Sequence, residues 1–398
     1  MRQLVVTGSF PFTSQTFVTR EVASTLNAGH DVHVLAPTTG DAMGEEFCAR
    51  VGFPKTRAIY QNYLRYPIVT GDLNRFTPKV AEAAMREVYG FMLGERRKSY
   101  FCKLIKDPRI RGADLIHAHF VGWGYMVAVP LARILGIPVT VTAHEVELPD
   151  IEPITLRYVQ RHADFITIVS SEYKRYWVNL TGSEEKLRVV HNGVDLSEFD
   201  SQAISQRAPS GRIRLISVAR LVPHKRVADG IKAVDQLSRR GIDVEYRIVS
   251  DGPERARLEA LRNELKLENR VHFLGFLPRS ELIAELVASD VLVHPSEAEG
   301  FGIAVIEGMA AGLPVIVARS GGVQDIVEHG SFGYLYEPGD IDALVEYVAQ
   351  LAGDASKRQS FGRLARSAAE TRFSWEKHMT EMYRVWDQVL ASHRREPI

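Results

Sequence analysis

A chain of 398 residues is longer than one hydrophobic core usually serves, so two domains of ordinary size are expected. Its apolar fraction of 45% and charged fraction of 25% are those of a soluble globular protein. Lys+Arg and Asp+Glu stand at 49 each, which argues against a general nucleic-acid binder, and the two cysteines, Cys48 and Cys102, form no C-x-x-C pair, which argues against a disulfide framework or a zinc site and fits a reducing cytoplasm.

The chain opens on Leu4-Val5-Val6, an apolar stretch too short for a signal peptide that reads as a first buried strand. Further β-branched runs follow at Val32–Leu35, Asp114–His117, Val139–Thr142 and Phe165–Val169, each succeeded by a helix-like segment. The polar stretch from Asp200 to Arg212 reads as a linker, after which the series restarts at Arg214–Val218, Tyr246–Val249, Val271–Leu274, Val291–Val293 and Pro314–Val317. Runs apolar on both faces that alternate with helices predict parallel sheets covered by helices. The domains are placed at 1–198 and 199–373. A tail, 374–398, is read as a helix returning to the first domain, with Trp375, Met379, Met382, Tyr383 and Trp386 near helical spacing for core packing. Ligands of doubly wound sheets bind outside the carboxyl ends of the strands, and two units facing one another would form a cleft. No apolar run is long enough to span a bilayer. Neither a G-x-G-x-x-G fingerprint nor a P-loop is present, so nicotinamide and ATP chemistry lose their usual signatures.

The most informative stretch is PSEAEGFGIAVIEGMAAGLPVIVARSGGVQDIV, from Pro295 to Val327. It reads as strand, polar loop, helix from Gly302 to Ala311, then strand, with Gly312 and Pro314 closing the helix. The helix N-terminus offers backbone N–H groups and a positive dipole end to an anion, and Gly300 and Gly302 let that anion approach closely. A diphosphate suits such a site. Glu299, beside it, is expected to face neutral sugar hydroxyls, and Glu307, on the helix, to take two ribose hydroxyls.

Glu299 and Glu307 form an E-x7-E pair within EGFGIAVIEGMAAGLPVI, which closely resembles the signature of retaining glycosyltransferase family 4. The resemblance implies an α/β protein with two facing Rossmann-like, doubly wound domains, the GT-B fold. It implies that Glu299 contacts the donor sugar, that backbone groups of Gly300, Phe301, Gly302 and Ile303 contact sugar and phosphate, and that Glu307 holds the ribose. The opening FPFTSQTFVTREVASTLNAGHDVHVLA looks like the FP-x2-SETF-x3-EI start of bacterial exopolysaccharide glycosyltransferases, with Gln15 where Glu is common.

Other positions gain meaning beside that motif. Arg220 and Lys225, in SVARLVPHKR, match the family's R-x4-K pair and are expected to neutralise a leaving diphosphate. Asp251-Gly252-Pro253 resembles a G-x-G-P turn, with Ser250 where Gly is commoner, and is read mainly as a turn with Asp251 near the donor. Phe273-Leu274-Gly275-Phe276 reads either as core or as the wall that meets the base, with Gly275 and Phe276 as the contacts. In the first half, the Gly8 backbone is expected near phosphate or acceptor. Ser14, Gln15 and Thr16 read both as a helix N-cap and as acceptor contacts. By resemblance His144, in VTVTAHEVELPD, points at the reacting carbon, with Glu145 where the family commonly has an acid. His117 and His119 are spaced like a metal pair on one strand face, but no further ligands are evident, so packing or acceptor shaping by His119 is favoured. His191-Asn192-Gly193-Val194-Asp195 resembles the family's NGVD turn and is read as closing the first domain.

Asp340-Ile341-Asp342 is a D-x-D better explained by N-capping; no metal and no cofactor beyond the nucleotide-sugar co-substrate are expected. The resemblance implies a UDP-sugar donor, with GDP-mannose next, a carbohydrate or lipid-linked glycan acceptor and no nucleic-acid partner. The segment Arg86 to Arg111 has eight basic residues against three acidic ones with aromatics between. It reads either as a peripheral contact with the inner face of the cytoplasmic membrane or as a solvated face. A nucleotide-sugar epimerase, a non-catalytic partner subunit and a sugar phosphorylase are the competing readings.

Overall fold

The computed structural model describes residues 1–11, 15–61, 101, 103–121, 123–144, 153–201, 204 and 211–393. Ser14, Glu145, most of Arg86 to Arg111 and most of the linker lie outside the described residues. The chain forms two compact units. Met1–Val169, Lys174–Val190 and Met379–Ile398 make the first; Ser170–Tyr173 and His191–His378 make the second.

The first unit holds a parallel sheet of β1 (Arg2–Val6), β2 (Asp31–Ala36), β3 (Ala58–Tyr60), β4 (Leu115–His119), β5 (Val139–Ala143), β6 (Phe165–Ile168) and β7 (Leu187–Val189), in the order β3-β2-β1-β4-β5-β6-β7. The second holds β8 (Ile213–Val218), β9 (Val244–Val249), β10 (Val271–Gly275), β11 (Val291–His294), β12 (Val315–Ala318) and β13 (Gly333–Tyr336), ordered β10-β9-β8-β11-β12-β13. Strand order reverses between β1 and β4 and between β8 and β11, where doubly wound sheets open a crevice. All ten strands expected from sequence are present. The edge strands β3, β7 and β13 were not expected: each is three or four residues long, and none is a run of β-branched residues.

Every residue of β4, β5, β11 and β12 is buried, as strands covered on both faces must be. One face of the first sheet carries a polar seam. His117 pairs in register with Thr140, His119 with Thr142, and Thr142 with Thr167, all buried. The tail forms the helix Trp375–His393. Its part from Met379 onward belongs to the first unit, where Trp386 is fully buried and meets the His117 ring at 5.4 Å.

The units part between Val190 and His191 rather than after residue 198. The His191–Asp195 turn, expected to close the first domain, opens the second unit. Val194 donates to the Phe373 carbonyl and accepts from Trp375 N–H, at 2.8 and 2.9 Å. A Cβ on Gly193 would lie 2.8 Å from the Trp375 Cα, so only glycine lets these segments approach.

Candidate functional site

In the second unit, β11 ends at His294 and the loop Pro295–Gly302 leads into the helix Ile303–Ala310. Gly308 lets that helix lie on β11, since a Cβ there would come within 2.6 Å of Leu292. Val305, Ile306 and Met309 are fully buried beneath it, each contributing roughly 1.5–3 kcal/mol. Gly302 caps the helix in the left-handed region, φ +108°, with no side-chain cap, so the first helical N–H groups keep no intrahelical partner. The loop is pinned by Ser296 Oγ donating to the Ala298 carbonyl at 2.8 Å, and by Ser320 Oγ donating to that of Ser296 at 2.6 Å. Gly321, φ +52°, braces it from below: a Cβ there would lie 1.8 Å from the Glu299 carbonyl oxygen.

The Glu299 carboxylate sits at the centre of a charged cluster. Lys225 Nζ lies 2.7 Å and His294 Nε2 2.8 Å from the same oxygen, Oε2. Burial pushes the Glu299 carboxyl up, but the charge of Lys225 and the hydrogen bond and charge of His294 outweigh it and hold it at about 2. Glu299 therefore faces two nitrogens as well as any sugar hydroxyl. Lys225, expected at the diphosphate, already gives charge to Glu299. His294 was missed from sequence; its signal is a histidine ending a buried strand one loop before the motif. Arg220 is exposed, and its guanidinium makes no ion pair among the described residues. Phe301 is 3% exposed and stacks on His191 at 5.5 Å, which leaves its backbone as the part able to meet a ligand. Ile303 is partly buried in the first helical turn.

Beside this loop, Leu221 N–H donates to the Asp251 carbonyl at 3.0 Å, and a Cβ on Gly252 would come within 2.5 Å of the Leu221 carbonyl oxygen. The Asp251-Gly252 turn thus carries the segment that presents Arg220. The Asp251 carboxylate itself accepts from Gly252 N–H at 2.7 Å and Arg255 Nη1 at 3.0 Å, bonds that hold the turn. Ser250 has φ +103°, where L-residues are strained. Ser250→Gly is expected to stabilise the fold by about 1 kcal/mol, since relief of strain exceeds glycine's added chain entropy. A higher urea midpoint would show it; an unchanged or lower midpoint would refute it. Of the aromatic wall, Phe273 packs on the core with Arg255 and Arg262 over its ring, whereas Phe276, after Gly275, is 56% exposed.

Glu307 is 8% exposed, and its Oε1 accepts from Arg279 Nη1. Arg279 Nη2 also donates to Glu198 Oε2 at 2.7 Å. One Glu307 oxygen is therefore taken, which departs from the expectation of a carboxylate open to both ribose hydroxyls. Neither Arg279 nor Glu198 was singled out from sequence, because they lie 81 residues apart and only folding joins them.

In the first unit, Gly8, His119 and His144 stand at the carboxyl edge around the β1/β4 reversal. A Cβ on Gly8 would meet nothing within 4 Å, so packing does not require glycine there. Gln15 is the N-cap of the helix Thr16–Asn27, yet its side chain makes no capping bond; the expected side-chain cap is absent at this residue. Thr16, partly buried, begins that helix. His119 is fully buried, with Nε2 3.0 Å from Glu21 Oε1 and Nδ1 3.0 Å from His144 Nε2. Its ring therefore stands behind His144 instead of at an acceptor. Glu21 is the third group beside His117 and His119 that sequence did not reveal; ligand atoms of the three lie within 4.8 Å of one another.

Asp340 caps the helix Ile341–Gly353 by accepting from Ala343 N–H at 2.9 Å, so its part of the D-x-D is structural. A cavity of about 580 Å³ opens near Asp290, Pro314 and Arg358, at the opposite, amino edge of the second sheet. Among the described residues, no helix is long and apolar enough to cross a membrane.

Two family patterns match adjoining parts of the chain: Glycosyltransferase Family 4 over residues 15–198 and Glycosyl transferases group 1 over residues 198–368. The 2-deoxystreptamine glucosyltransferase of Streptomyces kanamyceticus is 30% identical over 274 residues, 63% of this chain and 71% of that protein. The chain belongs to glycosyltransferase family 4. The colanic acid biosynthesis glycosyltransferase WcaL of Salmonella typhimurium is 28% identical to this family 4 enzyme over 370 residues, 86% of this chain and 88% of WcaL. HepE of Anabaena, solved in complex with UDP, has the same fold: TM-score 0.78 at 21% identity, covering 98% of this chain and 100% of HepE. This family 4 glycosyltransferase accordingly has the GT-B fold, two Rossmann-like α/β units, the last helix ending in the first of them.

Proposed function

We propose that this glycosyltransferase moves a hexosyl group from a nucleotide-diphosphate sugar to a hydroxyl of a carbohydrate or lipid-linked glycan, with retention at the anomeric carbon, in exopolysaccharide or related glycan synthesis. The observation that carries the reading is the Glu299 carboxylate held ionised by Lys225 and His294, beside a helix start that has no side-chain cap. Sugar hydroxyls donate to Glu299. The diphosphate lies against the N–H groups around Gly302 and draws on Arg220 and Lys225, whose charge stabilises it as the glycosidic bond breaks. Attack comes from the leaving-group face, and the departing phosphate accepts the acceptor's proton. His144, by the family resemblance, serves the transfer reaction.

UDP is favoured as the nucleotide, with GDP next, since HepE is solved with UDP-glucose. Thermal shift against UDP, GDP and ADP, followed by NMR of the anomeric centre in product made from the preferred donor, tests the reading. Stabilisation by UDP and a retained configuration are expected. An inverted product refutes the mechanism, and conversion of free donor without acceptor would make the enzyme an epimerase.

A further inference from the structure

Three side chains of the first unit run in line from its interior to the end of β5, and the reading above uses only the last. Glu21, on the helix Thr16–Asn27, is 3% exposed, His119 ends β4 with no exposure, and His144 follows β5. His119 Nε2 lies 3.0 Å from Glu21 Oε1, and His119 Nδ1 lies 3.0 Å from His144 Nε2. Phe17 and Phe120 pack against the His144 ring, with centroids at 4.5 and 5.1 Å.

We propose that Glu21 and His119 are positioning residues that fix the tautomer and the orientation of His144. The proposal rests on His144 serving the transfer reaction. An ionised carboxylate only accepts, so the proton between Glu21 and His119 stands on His119 Nε2. With that single proton on the ring, Nδ1 of His119 only accepts. His144 must donate to it from Nε2, and the His144 lone pair is left on Nδ1. The other tautomer would turn the His119 Nε2 lone pair toward Glu21 Oε1, repulsive at 3.0 Å. The logic is that of a carboxylate that orients a histidine, extended by one ring. His117 is the second group on Glu21, with Nε2 at 3.5 Å from Oε1. It is held by Thr140 Oγ1 at 2.8 Å from Nδ1 and Thr142 Oγ1 at 3.2 Å from Nε2, so the shorter contact with Glu21 belongs to His119. A ring so held is prepared before substrate arrives, which spares the reaction the cost of orienting it.

The test is long-range ¹H–¹⁵N correlation on the full chain labelled at histidine, with His144→Gln identifying the His144 signals. Wild type is expected to carry the His144 proton on Nε2 at neutral pH. Glu21→Gln and His119→Ala should lose that fixed tautomer. His119→Asn should restore it, because the amide oxygen stands near the former Nδ1 and accepts from His144. Transfer from the donor chosen by the nucleotide screen should fall about tenfold or more in kcat in Glu21→Gln and His119→Ala, with donor KM within about twofold, and recover in part in His119→Asn. A wild-type His144 protonated on Nδ1, an unchanged tautomer in His119→Ala, or stoichiometric zinc in the purified protein would overturn the proposal. The wild-type spectrum decides alone where a variant does not fold. If wild type transfers no sugar, the assigned reaction fails while the spectra still judge the relay.

Discussion

Replacing Glu299 by glutamine is expected to lower kcat/KM about ten- to a hundredfold, the loss of a charge-assisted hydrogen bond worth roughly 1.5–3 kcal/mol. Glutamine keeps the shape of the side chain and removes only its charge. The same change leaves Lys225, only 11% exposed along its side chain, without its counter-charge. Stability should therefore fall as well, and its pH dependence can be worked out. The Glu299 carboxyl sits at about 2 in the folded chain against an ordinary 4.5. A depressed carboxyl contributes stability that is fully present above its unfolded value and is lost as pH falls through the folded one. The wild-type advantage over Glu299→Gln, about 3 kcal/mol at neutral pH by the linkage relation, should shrink as pH is lowered from 4.5 to about 2. Urea titrations of both proteins across that range provide the measurement. A difference that stays constant with pH, or wild-type turnover in the variant, would remove Glu299 from the role assigned here.

Arg279→Leu should cost about 3–5 kcal/mol of stability at pH 7, among the largest single losses the second unit can suffer. The guanidinium lies between Glu198 and Glu307, whose side chains are 13% and 10% exposed. Burial alone would pull the arginine down, yet Glu307 and Glu198 hold it above its ordinary value. Leucine fills much of the space but strands two carboxylates in a place poor in water. Adding Glu307→Gln to Arg279→Leu removes one of them, so the double variant should be more stable than Arg279→Leu alone. Chemical denaturation of the four proteins of this cycle measures the coupling. If the two changes simply add, Arg279 and Glu307 do not stabilise the fold as a pair.

Much of this was legible in the order of residues. The strands β11 and β12 are runs buried on both faces, and the loop-helix unit at Pro295–Ala311 carries its own punctuation in Gly302, Gly312 and Pro314. Glu299, Gly300 and Gly302 appear in the motif because their spacing is short and local. Partners that only the fold brings together were not legible. His294 meets Glu299 only because the loop after β11 turns the carboxylate back onto the strand end. Arg279, at the start of one helix, meets Glu307, within another, only through the fold. Glu21 meets His119 across 98 residues, although it stands in plain sight within the opening motif.

Sequence by itself thus determined the parallel sheets, the glycine-led helix start after β11 and the family of the enzyme, since each depends on periodicity or on residues a few positions apart. Tertiary structure decided the charge state of Glu299, the engagement of Glu307 and the burial of His119 behind His144. Those properties are set by desolvation and by partners brought from distant parts of the chain, and neither quantity is written in local spacing.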